Sequence, residues 1–427
     1  MNTATGSKAR PLWGVVAIAA VCLRGYAEPA HKAESVVDSV GINVHLHYTD
    51  TAYFQQFSEV KQALLALHVR HLRDGLVDHP RPEYLERYKL LGSLGMKTVF
   101  ITKPNQPALE LASFPGQVGK TFEGFEAPNE MDNANDPAWP AKLREFLPTL
   151  FAVGVRSHLP VVGPSLVKAA SYPELGDVSR WESFGNLHNY PGGRNPGTSG
   201  WGDNGYGSFA YHQRNLNITS DGLPIVSTET GYDNDPSSGN FVPEPVSAKY
   251  LPRLLLQQYI NGVRRTYLYE LLSSGHEDYG LMSASCAAKP GFRAVSSLLG
   301  LLDDRDSRAY ADDLDLRLTG ASGDVRHLLL QKSNRHYLLA VWIEAPGYDL
   351  PRKAVLQVPP QMVHFTLPWT PAAVISHRWN EDGTVRTVAL PAMPSFDEGV
   401  TDSLTIVEIT PPPARAGKVD RPRMENH

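Results

Sequence analysis

From residue 40 onward the chain alternates short apolar runs with longer stretches of helical spacing. Val40 to Tyr48 places an apolar side chain at nearly every second position, as a strand with one buried face does. Phe54 to Leu67 follows with Phe54, Phe57, Val60, Leu64, Leu65 and Leu67, the stripe of an amphipathic helix. Val69 to Leu72 is the next strand and runs into Arg73-Asp74, while Tyr84 to Leu94 predicts a helix that Gly95 stops. Lys97–Thr102, Phe122–Ala127, Leu159–Ser165, Phe184–Tyr190, Ile225–Thr228 and Arg265–Glu270 repeat the strand signal. Helices are predicted over Pro137–Val153 and Val246–Asn261.

Eight β-then-α units over roughly 260 residues match a (β/α)8 barrel in count and size. An open doubly wound sheet would need a Gly-rich phosphate loop after its first strand, where this chain has Tyr48-Thr49-Asp50-Thr51. Residues 28–303 are therefore read as the barrel. Beyond Leu302 the pattern changes to short β-branched and aromatic runs: Leu314–Leu318, Val325–Gln331, His336–Trp342, Ala354–Val358, Ala372–His377, Val385–Leu390 and Ser403–Ile409. Turns such as Gly320-Ala321-Ser322-Gly323 and Asn380-Glu381-Asp382-Gly383 separate them, which predicts a C-terminal β-sandwich over 304–412. The Pro-rich, charged residues 413–427 read as a flexible tail.

The 427 residues are 42% hydrophobic and 20% charged, an ordinary globular balance. A formal charge of −5 without a cluster of Lys and Arg argues against nucleic acid as a partner. Lys8 and Arg10, the apolar run Leu12 to Leu23 and then Gly25-Tyr26-Ala27 have the layout of a signal peptide over 1–27. The run is shorter than the roughly twenty residues of a membrane span. An uncleaved anchor, with Arg24 interrupting the approach to the cleavage site, and a lipid-modified Cys22 are the other readings. Cleavage after Ala27 removes Lys8, Arg10 and Arg24, taking the charge from −5 to −8, and leaves Cys286 as the single cysteine. The mature chain then has no internal disulfide and no thiolate cluster for zinc. This predicts a secreted or periplasmic protein with no integral membrane association.

In such a barrel the site lies at the C-terminal ends of the strands. The residues there are His45 and His47, Arg73 and Asp74, Asn129 and Glu130, His188 and Tyr190, Glu229, and Tyr269 or Glu270. Two glutamates that each end an apolar run, Glu130 and Glu229, are the sequence form of a paired-carboxylate site. Glycoside cleavage needs such a pair: one carboxyl donates a proton to the leaving oxygen while a carboxylate attacks the anomeric carbon. A cation such as Arg73 and a hydroxyl donor such as Tyr190 would keep the attacking carboxylate ionised.

Asn129-Glu130 on strand four and Glu229 on strand seven resemble the signature of the clan A retaining glycoside hydrolases. The resemblance implies Glu130 as acid and base, Glu229 as nucleophile, Arg73 as the nucleophile's partner, and His188-Asn189-Tyr190 as the strand-six motif whose tyrosine also contacts it. It covers residues 40 to about 300 and implies an oligo- or polysaccharide substrate and no cofactor. Strand eight departs from the pattern, offering Tyr267, Tyr269 and Glu270 where the clan often has a tryptophan, which leaves the sugar open.

Plainer readings stand beside these. Arg73-Asp74 can form a structural ion pair, and His188, His45 or His47 can be buried, hydrogen-bonded histidines. His45-x-His47 on one strand face has metal-pair spacing but no third ligand. Glu270 is either structural or substrate-contacting. Trp201, in the long loop after strand six, is the tryptophan expected on the active-site side, with Trp139 and Trp181 as packing residues. A transglycosylase would use the same residues, and a non-catalytic carbohydrate-binding barrel would be expected to lack one glutamate.

Overall fold

The computed structural model describes residues 27–274, 277–305 and 311–413. The predicted leader, up to residue 26, and the tail from residue 414 lie outside them. Eight parallel strands form one sheet: Val40–Asn43, His71–Gly75, Lys97–Ile101, Phe122–Glu126, Val161–Val162, Gly185–His188, Ile225–Thr230 and Arg265–Leu268. Neighbours follow chain order, and the first strand pairs with both the second and the eighth. The ring closes between the fifth and sixth through a bridge from Val162 to Phe184, with Gly163 N donating to Phe184 O at 2.8 Å. This is a (β/α)8 barrel.

Helices follow every strand, including four that the apolar pattern did not reveal: Ala108–Val118, Ser171–Leu175, Phe209–Thr219 and Pro290–Leu302. Pro115 and Gly116 obscure the first, and its apolar stripe survives only as Leu111, Phe114 and Val118. No helix among the described residues is long and apolar enough to cross a membrane.

Inside the barrel, Val99, Val162 and Val226 from the third, fifth and seventh strands and Tyr267 from the eighth form an apolar layer. Gly41 makes room for it, since a Cβ there would lie 2.3 Å from Tyr267 Cδ1. Two irregularities in register aim polar side chains inward. Thr98 pairs with Phe122 but Val99 pairs with Gly124, leaving Glu123 as an extra residue. Phe122 thus packs with both Phe100 and Phe125, while Glu123 meets His71 and Arg265 and Glu126 meets Arg73. Likewise Leu187 pairs with Ser227 but His188 with Glu229, so Thr228 is the extra residue beside Glu229.

A β-sandwich follows. Its larger sheet runs His31–Lys32, Val325–Gln331, Tyr337–Ile343, Thr405–Thr410, Ala373–Trp379 and Val385–Leu390. The opposing sheet holds Arg317–Thr319, Gln361–Thr366 and Ser395–Val400. Tyr337–Ile343 is apolar on both faces because both are covered. Leu339 and Val341 pack in the sandwich core, whereas Leu338, Ala340 and Trp342 join the core cluster that holds the barrel's helices. The two parts therefore share one apolar interface, pinned by Trp379 Nε1 donating to Ala294 O at 3.0 Å.

Candidate active site

The fourth strand ends at Glu126, and the chain turns sharply to present Asn129 and Glu130. Glu130 sits in the left-handed region at φ 41° and ψ 44°, a conformation that L side chains adopt at a cost. Ser165 Oγ accepts from the Glu130 N–H at 3.3 Å. The seventh strand carries Glu229 just beyond its irregular residue Thr228.

Arg73, on the second strand and fully buried, connects these ends. Its Nη1 donates to Glu229 Oε1 at 2.6 Å and to Asn43 Oδ1 at 2.8 Å, and its Nη2 donates to Asn129 Oδ1 at 2.6 Å. Its Nε and Nη2 also hold both oxygens of Glu126 at 2.7 Å. Burial would lower the Arg73 pKa, but the charges of Glu126 and Glu229 outweigh it and hold the guanidinium firmly protonated. Tyr190 OH donates to the other oxygen of Glu229 at 2.9 Å. Burial alone would raise the Glu229 pKa. The charges of His188 and Arg73, with hydrogen bonds from Arg73 and Tyr190, pull it below the ordinary carboxylate value.

His188 Nδ1 and Glu130 Oε1 are 2.6 Å apart, and His188 Nε2 is 3.0 Å from Thr228 Oγ1. Burial lowers the His188 pKa, yet the Glu229 and Glu130 carboxylates more than reverse this and leave it raised. One oxygen each from Glu130 and Glu229 and a His188 ring nitrogen lie within 4.8 Å of one another. Three such ligand atoms could in principle hold a cation. A cation there would face the Arg73 guanidinium bonded to Glu229, and His188 already has a partner at each nitrogen. The arrangement fits proton transfer better than metal binding.

A cleft of about 510 Å³ is lined by Arg73, Asn129 and Glu229 together with His45, His47, Tyr48 and Tyr269. The strand ends Arg73, Asn129, Glu130, His188, Tyr190 and Glu229 are thus brought together. Several other expectations are corrected. Arg73 and Asp74 do not pair with each other: adjacent on a strand, they point to opposite faces. Asp74 instead accepts from Leu46 N at 2.9 Å and from Tyr88 OH, and its Oδ1 lies 2.8 Å from His47 Nδ1. His45 and His47 do not share a strand face, because the first strand ends at Asn43 and both lie in the loop beyond. Their rings turn to different carboxylates, His47 to Asp74 and His45 to Glu270 at 3.2 Å. Glu270, 1% exposed, accepts from Tyr53 OH at 3.1 Å and Ser274 Oγ at 2.8 Å.

Trp201 does not line the cleft. It packs in its own loop under Arg194, 3.7 Å from the ring centroid, and against Gly192 and Gly207, where any Cβ would collide with its ring. Trp139 is buried in the core and Trp181 packs against it. Tyr48 lines the cleft in a way the sequence did not single out. The residue is 41% exposed, and its ring stacks on His45 with centroids 4.6 Å apart at 9°. Glu126, Asn43, Asn186 and Thr228 were also missed, although a glutamate inside the apolar run Phe122–Ala127 was a visible signal. Thr228 Oγ1 lies within hydrogen-bond distance of Glu126 and Asn186, so a continuous polar layer caps the apolar one.

No family model matches this sequence, and no curated protein matches it. Among solved structures, an arabinofuranosidase superposes with a TM-score of 0.56 at 12% identity, covering 90% of this chain and 99% of that one. A GH128 (subgroup I) endo-β-1,3-glucanase from Amycolatopsis mediterranei, in complex with laminaripentaose, matches at 0.40 and 15% identity over 61% of this chain and 99% of its own. A maltogenic α-amylase from Thermotoga neapolitana matches at 0.43 and 9% identity, over 88% and 99%. The first of these extends over both parts of the chain and bears out the fold, a barrel followed by a β-sandwich.

Proposed function

We infer that this protein is a retaining glycoside hydrolase acting on an oligo- or polysaccharide. The observation that carries the reading is the pair of carboxyl oxygens of Glu130 and Glu229 within 4.8 Å of each other at the ends of the fourth and seventh strands. Retaining glycosidases hold their two carboxyl groups about 5–5.5 Å apart, whereas inverting ones leave room for a water at about 6.5–9.5 Å. Barrel-plus-sandwich likeness to an arabinofuranosidase adds support at the level of fold.

The chemistry follows from the contacts. Glu229, kept ionised by Arg73 and Tyr190, attacks the anomeric carbon as Glu130 gives its proton to the departing oxygen. The glycosyl–Glu229 bond forms as the glycosidic C–O bond breaks. Esterified Glu229 no longer carries charge, and Glu130, now a carboxylate, takes a proton from water as that water attacks the same carbon and releases Glu229. His188 holds the Glu130 carboxyl in place and shares its proton. Asn129, its oxygen engaged by Arg73, has its amide N–H groups left to donate to a sugar hydroxyl. No step calls on a cofactor. Transfer to a sugar acceptor in place of water would use the same residues. The leader-like residues 1–27 support a location outside the cytoplasm, and the barrel and sandwich correspond to 28–303 and 304–412 except that His31–Lys32 joins the sandwich.

The test is the anomeric outcome by NMR across a panel of aryl glycosides and polysaccharides, beginning with arabinofuranosides. Product of retained configuration is expected, and inverted product overturns the mechanism. Glu229→Ala should abolish turnover, with azide restoring part of it as the inverted glycosyl azide. Glu130→Ala should cost about 10²–10⁴-fold, the usual worth of general acid–base assistance. Full activity in either folded variant overturns the assignment.

A further inference from the structure

The loop after the sixth strand carries Tyr190 and then passes directly to the sandwich. Asn195 Nδ2 donates to Oε1 of Glu344 at 2.8 Å, and Gly197 N donates to the same oxygen at 2.9 Å. Arg253, on the helix after the seventh strand, donates there too at 2.7 Å, and Trp342 Nε1 takes Oε2 at 2.8 Å. The Glu344 side chain is 3% exposed and Arg253 is fully buried, so this charge pair is shielded from water. Approach is close enough that a Cβ on Gly197 would lie 2.6 Å from Glu344 Cγ. A second path reaches the same loop from the barrel: Tyr232, three residues beyond Glu229, donates its hydroxyl to Arg194 O at 2.9 Å. Its ring lies 5.2 Å from that of Tyr250, over which Arg253 sits.

We propose that Glu344 of the sandwich is a positioning residue: by gathering Asn195, Gly197 and Arg253 it fixes the loop that holds Tyr190 against Glu229. The sandwich is then part of the catalytic apparatus, and the loops after the sixth and seventh strands are set by it. A charge fits this post because one carboxylate oxygen accepts three donors from two different segments. A neutral amide would retain the shape but bind them less tightly. The effect at the reaction centre is indirect. Displacing Tyr190 removes a hydrogen bond that keeps Glu229 ionised, so the variant loses activity first at the acid end of its pH range.

The inference rests on the hydrolase reading, and its test separates the two. In the full chain, Glu344→Ala is expected to lower kcat by about tenfold, the worth of one hydrogen bond to a charged group. KM should change little, and the acid limb of kcat/KM should move to higher pH. Glu344→Gln should restore part of both. In a Tyr190→Phe background the same substitutions should add almost nothing, since the contact they act through is already gone. Hydrogen exchange should speed up across 190–197 in Glu344→Ala, and this readout needs no substrate. Should Glu344→Ala fail to fold, Asn195→Ala removes the loop's own contact and should show the same acid-limb shift. An unmoved acid limb and unchanged exchange in a folded variant overturn the proposal. If no glycoside is cleaved by the parent protein the function fails, while the exchange data still decide whether Glu344 holds the loop.

Discussion

Arg73 and Glu126 face each other edge to edge, Nε to Oε2 and Nη2 to Oε1 both at 2.7 Å, and neither reaches solvent. Arg73 also bonds Glu229, so the group that supports that carboxylate is itself held by a second one. A fully buried guanidinium and carboxylate, with Glu229 at the cleft on the far side, are tolerable only together. Arg73→Met should therefore destabilise by about 3–5 kcal/mol, the cost of leaving a buried ionic partner uncompensated. Arg73→Met with Glu126→Gln should recover much of that stability in urea unfolding while activity stays lost. Equal destabilisation of the single and double variants would refute this division.

At the opposite end of the barrel, His71 lies between Asp38 at 3.1 Å and Glu123 at 2.9 Å, and Arg265 reaches both carboxylates. The hydrogen bond from His71 is the largest influence on Asp38, and with the nearby cations it outweighs partial burial and lowers its pKa from 3.8 to about 2. A carboxylate depressed in the folded state contributes stability above its unfolded pKa and loses it as pH falls through the folded one. The contribution should thus fade between about pH 4 and pH 2. Urea midpoints measured down through that window should fall less steeply in Asp38→Asn than in the parent. Parallel curves would exclude the cluster as a source of acid sensitivity.

Gly41→Ala tests the apolar layer. The added methyl would meet the Tyr267 ring at 2.3 Å, which the closed barrel cannot relieve without shifting a strand. A loss of at least about 1–3 kcal/mol is expected, as for other overpacked cores. A Tyr267→Leu background should absorb most of it. Thermal melts of the four proteins close the cycle.

Tyr48 presents an aromatic ring at the cleft, backed by His45 on one face. Stacking against a sugar ring should be worth about 0.5–1.5 kcal/mol, so Tyr48→Ala should raise KM by up to about tenfold with kcat nearly constant. Tyr48→Trp should restore binding. A kcat effect without a KM effect would assign Tyr48 to the chemistry instead.

The strand ends were legible in the sequence because a titratable residue closing an apolar run has few places to go but the rim of a barrel. Arg73, Glu130, His188, Tyr190 and Glu229 all stood out in that way. Glu126 did not, since it lies within its run, and only the extra residue at Glu123 turns it toward the axis. Thr228 was hidden similarly, reading as one more β-former until the shift at Leu187 and His188 gave it a separate role. Trp201 stood out for the wrong reason: its loop follows an active-site strand, but Gly192 and Gly207 fold it onto itself. Two sandwich strands were overlooked because their exposed faces are polar. Gln361–Thr366 carries His364 and Ser395–Val400 carries Asp397 there, while Glu398 puts a charge on the buried face of the latter.

The strand His31–Lys32 lies beside Val325–Gln331 at the edge of the sandwich, although the whole barrel separates them along the chain. A ribosome that has delivered the barrel has also released His31–Lys32 with no partner strand yet made to receive it. The barrel face destined for Trp342 and Ile406 is still bare at that moment. Synthesis must pass Val325–Gln331 before His31–Lys32 has a partner and reach Ile406 before the barrel face is fully covered, so the barrel's apolar surface is closed only when nearly the whole chain is present.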